Sequence, residues 1–172
     1  MNLSFKKCNS NDLDRLLEVS RTTFIDAFEK DNNPDDFKEY INSAFSRETI
    51  KAEISNPNSL FYFTYHYDTL VGYFKINQKG AQTEQINTNT LELERIYVVK
   101  AFQGRQIGKH MLFKTIELAK SKNTSFLWLG VWEKNSAAIR FYERYGFIKF
   151  DTHHYFIGND KQTDWLMKLN LI

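Results

Sequence analysis

The chain has 172 residues, 42% of them hydrophobic and 16% aromatic, which suits one domain over 1–172 with its own packed core. Its 23 Lys+Arg and 21 Asp+Glu are interspersed and leave a net charge of +2, a balance that argues against a disordered acidic tail or a nucleic-acid arm. The longest apolar stretches, such as Phe126 to Trp132, fall well short of the ~20 residues that span a bilayer. With the polar start Met1-Asn2-Leu3-Ser4 and the single Cys8, this predicts a cytoplasmic protein without membrane segment, signal peptide or disulfide framework.

Leu3 to Cys8 reads as a first strand, followed by a helix whose Leu13, Leu16, Leu17, Phe24 and Phe28 fall near one face, capped by Asn11 or Asp12. From Asp31 to Asn58 the spacing of Phe37, Tyr40, Ile41 and Phe45 predicts two short helices, closed by Asn56-Pro57. Leu60 to His66 and Leu70 to Asn77 are rich in β-branched and aromatic residues and predict an antiparallel hairpin turning at Tyr67-Asp68-Thr69. Gly80 to Asn89 is a polar loop. Strand Leu91 to Val99, helix Lys109 to Lys122 and strand Phe126 to Trp132, the last apolar throughout and expected to be buried on both faces, then make a parallel pair with a right-handed crossover. A helix from Ser136 to about Tyr145 stops at Gly146, and strands Phe147 to His154 and Thr163 to Leu169 complete the chain.

Glycine is scarce, 7 in all, yet Gly104 and Gly108 lie close together between a strand and a helix. A turn that opens a helix in this way aims unpaired N–H groups and the positive end of the helix dipole at one point, which suits a phosphate. The run Gln103-Gly104-Arg105-Gln106-Ile107-Gly108-Lys109 is neither the dinucleotide-binding Gly-x-Gly-x-x-Gly nor a P-loop, and taken alone it could be simple turn geometry.

Joined to Glu92-Leu93-Glu94-Arg95-Ile96-Tyr97-Val98 before it and to Asn135 through Phe147 after it, this loop resembles the GNAT superfamily of acetyl-CoA-dependent N-acetyltransferases. The stretch Leu129-Gly130-Val131-Trp132-Glu133-Lys134-Asn135, with the tail Asp164-Trp165-Leu166-Met167, looks like the PaiA-type spermidine/spermine N-acetyltransferases of bacteria. The resemblance implies an α/β (α+β) GNAT fold: a mixed, mostly antiparallel twisted sheet of six to seven strands, helices on both faces, and a splayed parallel central pair. It implies direct acetyl transfer from acetyl-CoA to a primary amine in a ternary complex, with CoA as co-substrate, no metal, no nucleic-acid or membrane partner, and a homodimer as a possible assembly. One position departs from the family's loop, because Gln106 stands where a glycine is expected and a positive φ there would be strained. The rival readings are a protein or peptide N-acetyltransferase and a catalytically silent acetyl-CoA-binding module.

Freeing the lone pair of an alkylammonium of pKa ~10.4 at pH 7 costs about 4.6 kcal/mol, whereas forming a thiolate of pKa ~8.5 costs about 2 kcal/mol. The amine side is therefore the harder protonic task. The resemblance makes Glu94 the base and Tyr142 the acid; the alternatives are a solvated carboxylate paired with Arg95 and a core aromatic. Strict alternation would put Glu92, Glu94, Ile96 and Val98 on one face, with Glu92 as a competing base. For acetyl-CoA the resemblance points to Ile96, Tyr97 and Val98 on the strand, to Gln103, Gly104, Arg105, Gln106, Ile107, Gly108 and Lys109 in the loop, and to Asn135, Ala138 and Tyr142 on the last helix. Asn135 also suits a helix N-cap. Phe28, Glu29, Glu92 and Trp132 are the acceptor-side expectations, near a run of acids from Asp26 to Glu39 that otherwise reads as a solvated face. His153 and His154 point to opposite faces of a strand, and no metal site is expected.

Overall fold

A computed structural model describes residues 2–86 and 89–171. Seven strands form one sheet in the order β1-β2-β3-β4-β5-β7-β6: β1 (Leu3–Lys7), β2 (Ser59–His66), β3 (Thr69–Gln78), β4 (Thr90–Val98), β5 (Phe126–Trp132), β6 (Ile148–Ile157) and β7 (Asp160–Asn170). Every neighbouring pair is antiparallel except β4 and β5. Helices α1 (Leu13–Phe28), α2 (Pro34–Ala44) and α3 (Arg47–Ser55) precede the hairpin, α4 (Ile107–Ser121) is the crossover, and α5 (Ser136–Arg144) follows β5.

Each sheet face has its own core. Leu16, Phe37, Ile41, Phe45 and Ile50 pack with Phe61, Phe63 and Tyr73 under α1 to α3, while Met111, Leu112, Ile139 and Tyr142 pack with Phe74, Leu91, Leu93 and Leu127 under α4 and α5. Helix boundaries follow local chemistry. Asn33 Oδ1 accepts from the amides of Asp35 and Asp36 at the start of α2, with Pro34 opening the first turn. Ser46 caps α3 through the Thr49 amide at 3.1 Å, and Gly146, at φ +87°, follows the end of α5 in the left-handed conformation.

Several predicted details shift. The cap before α1 is Asn9, whose side chain holds the Asn11 amide over one turn of 3-10 helix, and Asp12 makes the return bond to the Asn9 amide. The hairpin turns on Tyr67 and Asp68 alone, helix α4 begins at Ile107, and β6 and β7 are longer than expected. In β5 Gly130 is exposed, so the strand is not covered on both faces along its length. The predicted loop over 80–89 includes one short 3-10 turn at Lys79–Ala81, and its residues 87 and 88 lie outside the described ones.

The most consequential shift is in β4. Lys75 pairs with Arg95 and Ile76 with Leu93, which leaves Glu94 as the extra residue of a β-bulge. Strict alternation fails there: Leu91, Leu93, Ile96 and Val98 join the core under α4, while Tyr97 and Val99 join the opposite one. Glu92, Glu94 and Arg95 thereby share partners on the α1–α3 side.

Candidate active site

The parallel pairing of β4 and β5 is short: Thr90, Leu91 and Glu92 lie beside Phe126, Leu127 and Trp128, after which β4 stays with β3 and β5 with β7. Beyond this point the strands splay. A cleft of about 460 Å³ fills the opening, bordered by β4, β5, α5 and the aromatic residues of α1 and α2. A second cavity of about 490 Å³ lies over the start of α4.

Val98, Gln103, Gly104, Gln106, Ile107, Gly108 and Lys109 line the second cavity with Phe102, Phe141, Arg144 and Tyr145. The first-turn amides of α4 have no acceptor inside the helix and mark its positive end. A Cβ on Gly104 would meet nothing within 4 Å, and one on Gly108 would meet only Val98 Cγ2, at 3.9 Å. The space over this helix end is therefore open at both glycines. Gln106 adopts φ +61° and ψ 12°, so its side chain is carried in the left-handed region that a glycine would occupy at no cost. Arg105 is exposed, its guanidinium 5.5 Å from the Phe102 ring centroid.

Ile96, Tyr97, Asn135, Ala138 and Tyr142 line the first cleft, so the two cavities share β4 and α5. Asn135 caps α5 by accepting from the Ala138 amide at 3.1 Å. Tyr142 is 8% exposed, and burial raises its hydroxyl above the ordinary tyrosine range, which keeps it protonated. From the acceptor side, Phe28, Glu92 and Trp132 line the cleft, with Phe28 and Trp132 edge-to-face at 6.4 Å. Glu29 and the other acids of the early run are not among the lining residues. Glu29, Asp26, Asp31, Asp35 and Glu39 are exposed to solvent.

Four carboxylates line the cleft, and their surroundings differ. Glu94 Oε2 is 2.5 Å from Lys75 Nζ and from Asn77 Nδ2, and Glu94 Oε1 is 3.2 Å from Arg95. Burial alone would raise Glu94, but the charges of Arg95 and Lys75 and the hydrogen bonds from Lys75 and Asn77 hold it below the usual carboxylate range. Arg95 also makes a two-pronged bond to Glu53, both contacts 2.9 Å, and the guanidinium lies over the Phe45 ring. Glu94 is therefore an ion-paired carboxylate rather than a free proton acceptor. Glu92 is 2% exposed and raised by burial; it accepts from the Thr83 hydroxyl at 2.5 Å, the Thr83 amide at 2.9 Å and Asn77. Glu84 contacts His153 Nδ1 at 2.5 Å.

The fourth, Asp164 on β7, stands beside Trp132 of β5. Its Oδ1 is shut off from water and has no hydrogen-bond partner. Burial pushes this carboxyl up to about 6, against the opposing influence of His153 and the Tyr155 hydroxyl. Sequence reasoning placed Asp164 in the family-like tail and gave it no role. The alternating strand Thr163 to Leu169 carries one acid among apolar neighbours, and this was the available signal. Lys75, Asn77 and Tyr155 were likewise missed as partners or walls of the cleft, whereas the Arg95 pairing is the alternative expected for Glu94.

A splayed parallel pair between two cavities, with an open helix N-terminus beside one of them, offers a groove for an extended cosubstrate, and the relatives of this chain define its class as acetyl-CoA-dependent transferase. The chain belongs to the acetyltransferase (GNAT) family, whose model matches residues 14–147. It is 38% identical over 164 residues, 95% of each chain, to an uncharacterized N-acetyltransferase in the pepI 3′ region of Lactobacillus delbrueckii subsp. lactis. It is 27% identical over 156 residues to the spermidine N(1)-acetyltransferase of Thermoplasma acidophilum, covering 88% of this chain and 92% of that one. The crystal structure of the PaiA N-acetyltransferase of the same organism in complex with coenzyme A superposes with a TM-score of 0.78 at 26% identity, over 99% of both chains. The protein is an acetyl-CoA-dependent N-acetyltransferase of the PaiA-like GNAT type. No helix among the described residues is long and apolar enough to cross a membrane.

Proposed function

We propose that one domain over 1–172 acetylates a primary amine of a small polycation of the spermidine or spermine class. The observation that carries this reading is the cleft's charge. Lys75 and Arg95 are matched by Glu53 and Glu94, so the negative charge left facing the cleft comes from Glu84, Glu92 and Asp164. With the aromatic faces of Phe28, Tyr40 and Trp132 beside them, these acids suit an extended alkylammonium, whose charges need carboxylates and whose methylenes need apolar walls. Relatives named as spermidine and spermine acetyltransferases support the same class.

In this reading Gln103 to Lys109 hold the CoA pyrophosphate with backbone amides, and Lys109 adds positive charge. The edge of β4 freed by the splay, at Ile96 to Val98, pairs with the pantetheine amides as another strand would. Asn135 and Ala138 border the same arm. The amine nitrogen attacks the thioester carbonyl, the C–S bond breaks, and Tyr142 donates a hydrogen bond to the sulfur as negative charge develops there. A thiolate of pKa ~8.5 leaves readily, so Tyr142 need only stabilise it. Glu94, held ionised and neutralised by Arg95 and Lys75, holds those two cations in place and takes no proton in this scheme.

Thiol release from acetyl-CoA across polyamines, aminoglycosides, amino acids and peptides tests the reading. Turnover highest with spermidine or spermine is the expected result; a preference for peptide N-termini, or CoA binding without turnover of any amine, overturns it.

A further inference from the structure

Among the cleft acids Asp164 differs in one geometric respect. Glu92 is satisfied by Thr83 and Asn77, Glu94 by Lys75, Asn77 and Arg95, and Glu84 meets His153, whereas Asp164 Oδ1 is enclosed and unpaired. A buried carboxylate oxygen without a donor is costly and stands out in a folded protein. The fold nonetheless keeps room for it. Gly130, on β5 next to the Asp164–Trp132 pair, has a hydrogen where any other residue would put a Cβ 3.2 Å from Asp164 Oδ2. This places a carboxylate with one unpaired oxygen on the wall of a cleft whose acceptor, on the reading above, is an ammonium with three donors.

We propose that Asp164 is the residue that binds the reacting ammonium and accepts its proton. The inference rests on the amine-acetylation reading and assigns its unfilled role. Asp164 first takes one proton from the bound ammonium, which frees the nitrogen lone pair; the lone pair forms the bond to the thioester carbonyl carbon, the C–S electron pair leaves on sulfur under the Tyr142 hydroxyl, the second N–H proton passes to the departing thiolate, and Asp164 releases its proton to solvent after the amide departs. No other reactant is consumed. Asp164 suits this better than Glu94 on charge grounds, because two cations in contact with Glu94 oppose its protonation, whereas among the described residues no Lys or Arg ion pair reaches Asp164. Its raised carboxyl range brings it nearer the working pH, where a base is most effective. The groups that face it are His153 and Tyr155 of β6, Glu133 after β5 and Tyr40 of α2.

The test compares the full-length wild type with Asp164→Asn and Asp164→Glu. Initial rates with spermidine are followed from pH 5 to 9 at saturating acetyl-CoA, and binding of CoA, then of spermidine to the CoA complex, is measured by calorimetry. For Asp164→Asn the expected results are a fall in kcat of about 100-fold or more, loss of the acid limb near pH 6 from kcat/KM, weaker spermidine binding, and unchanged CoA affinity, the last showing that the fold is intact. Asp164→Glu should recover part of the rate and the limb. An Asn variant within threefold of wild type, or one that retains the limb, overturns the assignment even if spermidine binding weakens. Wild-type protein that binds CoA but not spermidine overturns the polyamine reading and this assignment together; normal spermidine turnover with a silent substitution overturns this assignment alone.

Discussion

Lys75 Nζ lies 2.5 Å from Glu94 Oε2, and the lysine side chain is 4% exposed. The same ammonium is 3.0 Å from Glu53 Oε1, so one buried cation bridges two carboxylates from two elements, and Arg95 supplies the second positive charge. Lys75→Met would leave those carboxylates facing Arg95 alone, and the expected loss is about 3–5 kcal/mol of stability at pH 7, read by urea denaturation. The sign with pH follows from Glu94. Its folded pKa is lowered, so its contribution is complete above the unfolded glutamate range of ~4.3 and is lost as pH falls through the folded value. The gap between wild type and Lys75→Met should therefore narrow below about pH 4.5. An equal gap at pH 4 and pH 7 would show that packing, not charge, is what the lysine supplies.

Asp164 has the opposite sign. Its carboxyl is raised to about 6, so holding it ionised opposes folding above that pH, and the relief is complete below the unfolded range of ~3.9. Asp164→Asn should raise Tm at pH 8 and change it little at pH 4, with a stability gain on the order of 2 kcal/mol at the higher pH. Gain of stability with loss of rate is the pattern of a residue kept for function. Equal melting temperatures at pH 8 would show that the carboxylate is not destabilised in the fold.

Gln106 bears on the phosphate loop directly. Gln106→Gly removes a Cβ from the left-handed region and should stabilise the protein by about 1 kcal/mol, with CoA affinity equal or tighter. Gln106→Val, β-branched at the same φ, should do the reverse. Thermal melts and CoA titration distinguish these outcomes from a loop that depends on the glutamine side chain, for which CoA affinity would fall with glycine.

Tyr142→Phe keeps the ring that packs against Phe147 at 5.6 Å and removes only the hydroxyl. The expected change is a kcat lower by at least 10-fold with little change in KM for acetyl-CoA or in Tm. An unaltered kcat would withdraw the hydroxyl from the reaction.

Cys8, buried beside β2 with its thiol pushed up to about 12 by burial, is too weakly acidic to serve as an acyl-accepting thiolate at neutral pH. Cys8→Ala should leave turnover intact and give intersecting rather than parallel lines in two-substrate kinetics. A large loss of rate in a folded variant would revive a covalent intermediate.

How much of this was legible beforehand depends on the distance over which each feature is decided. The β4–α4–β5 crossover, the glycine turn at Gly104 and the Asn135 cap depend on neighbours a few residues apart, and local periodicity and capping chemistry determine them. Gln106 could be singled out from the sequence because a side chain replaced an expected glycine; its positive φ is the local cost of keeping the turn. The bulge at Glu94 could not be read this way. It arises from register against β3, and that one residue's offset brings Arg95 to the side of Glu92 and Glu94 and turns Ile96 and Val98 away from it, where alternation placed Arg95 on the other face and Ile96 and Val98 with the two glutamates. Ion pairing follows from the register too, since Glu53, Lys75 and Arg95 come from three elements and meet only when the sheet closes. A lone acid on a strand has no meaning until its neighbours are known, and only tertiary packing decided that every other cleft carboxylate would find a partner while Asp164 Oδ1 would not.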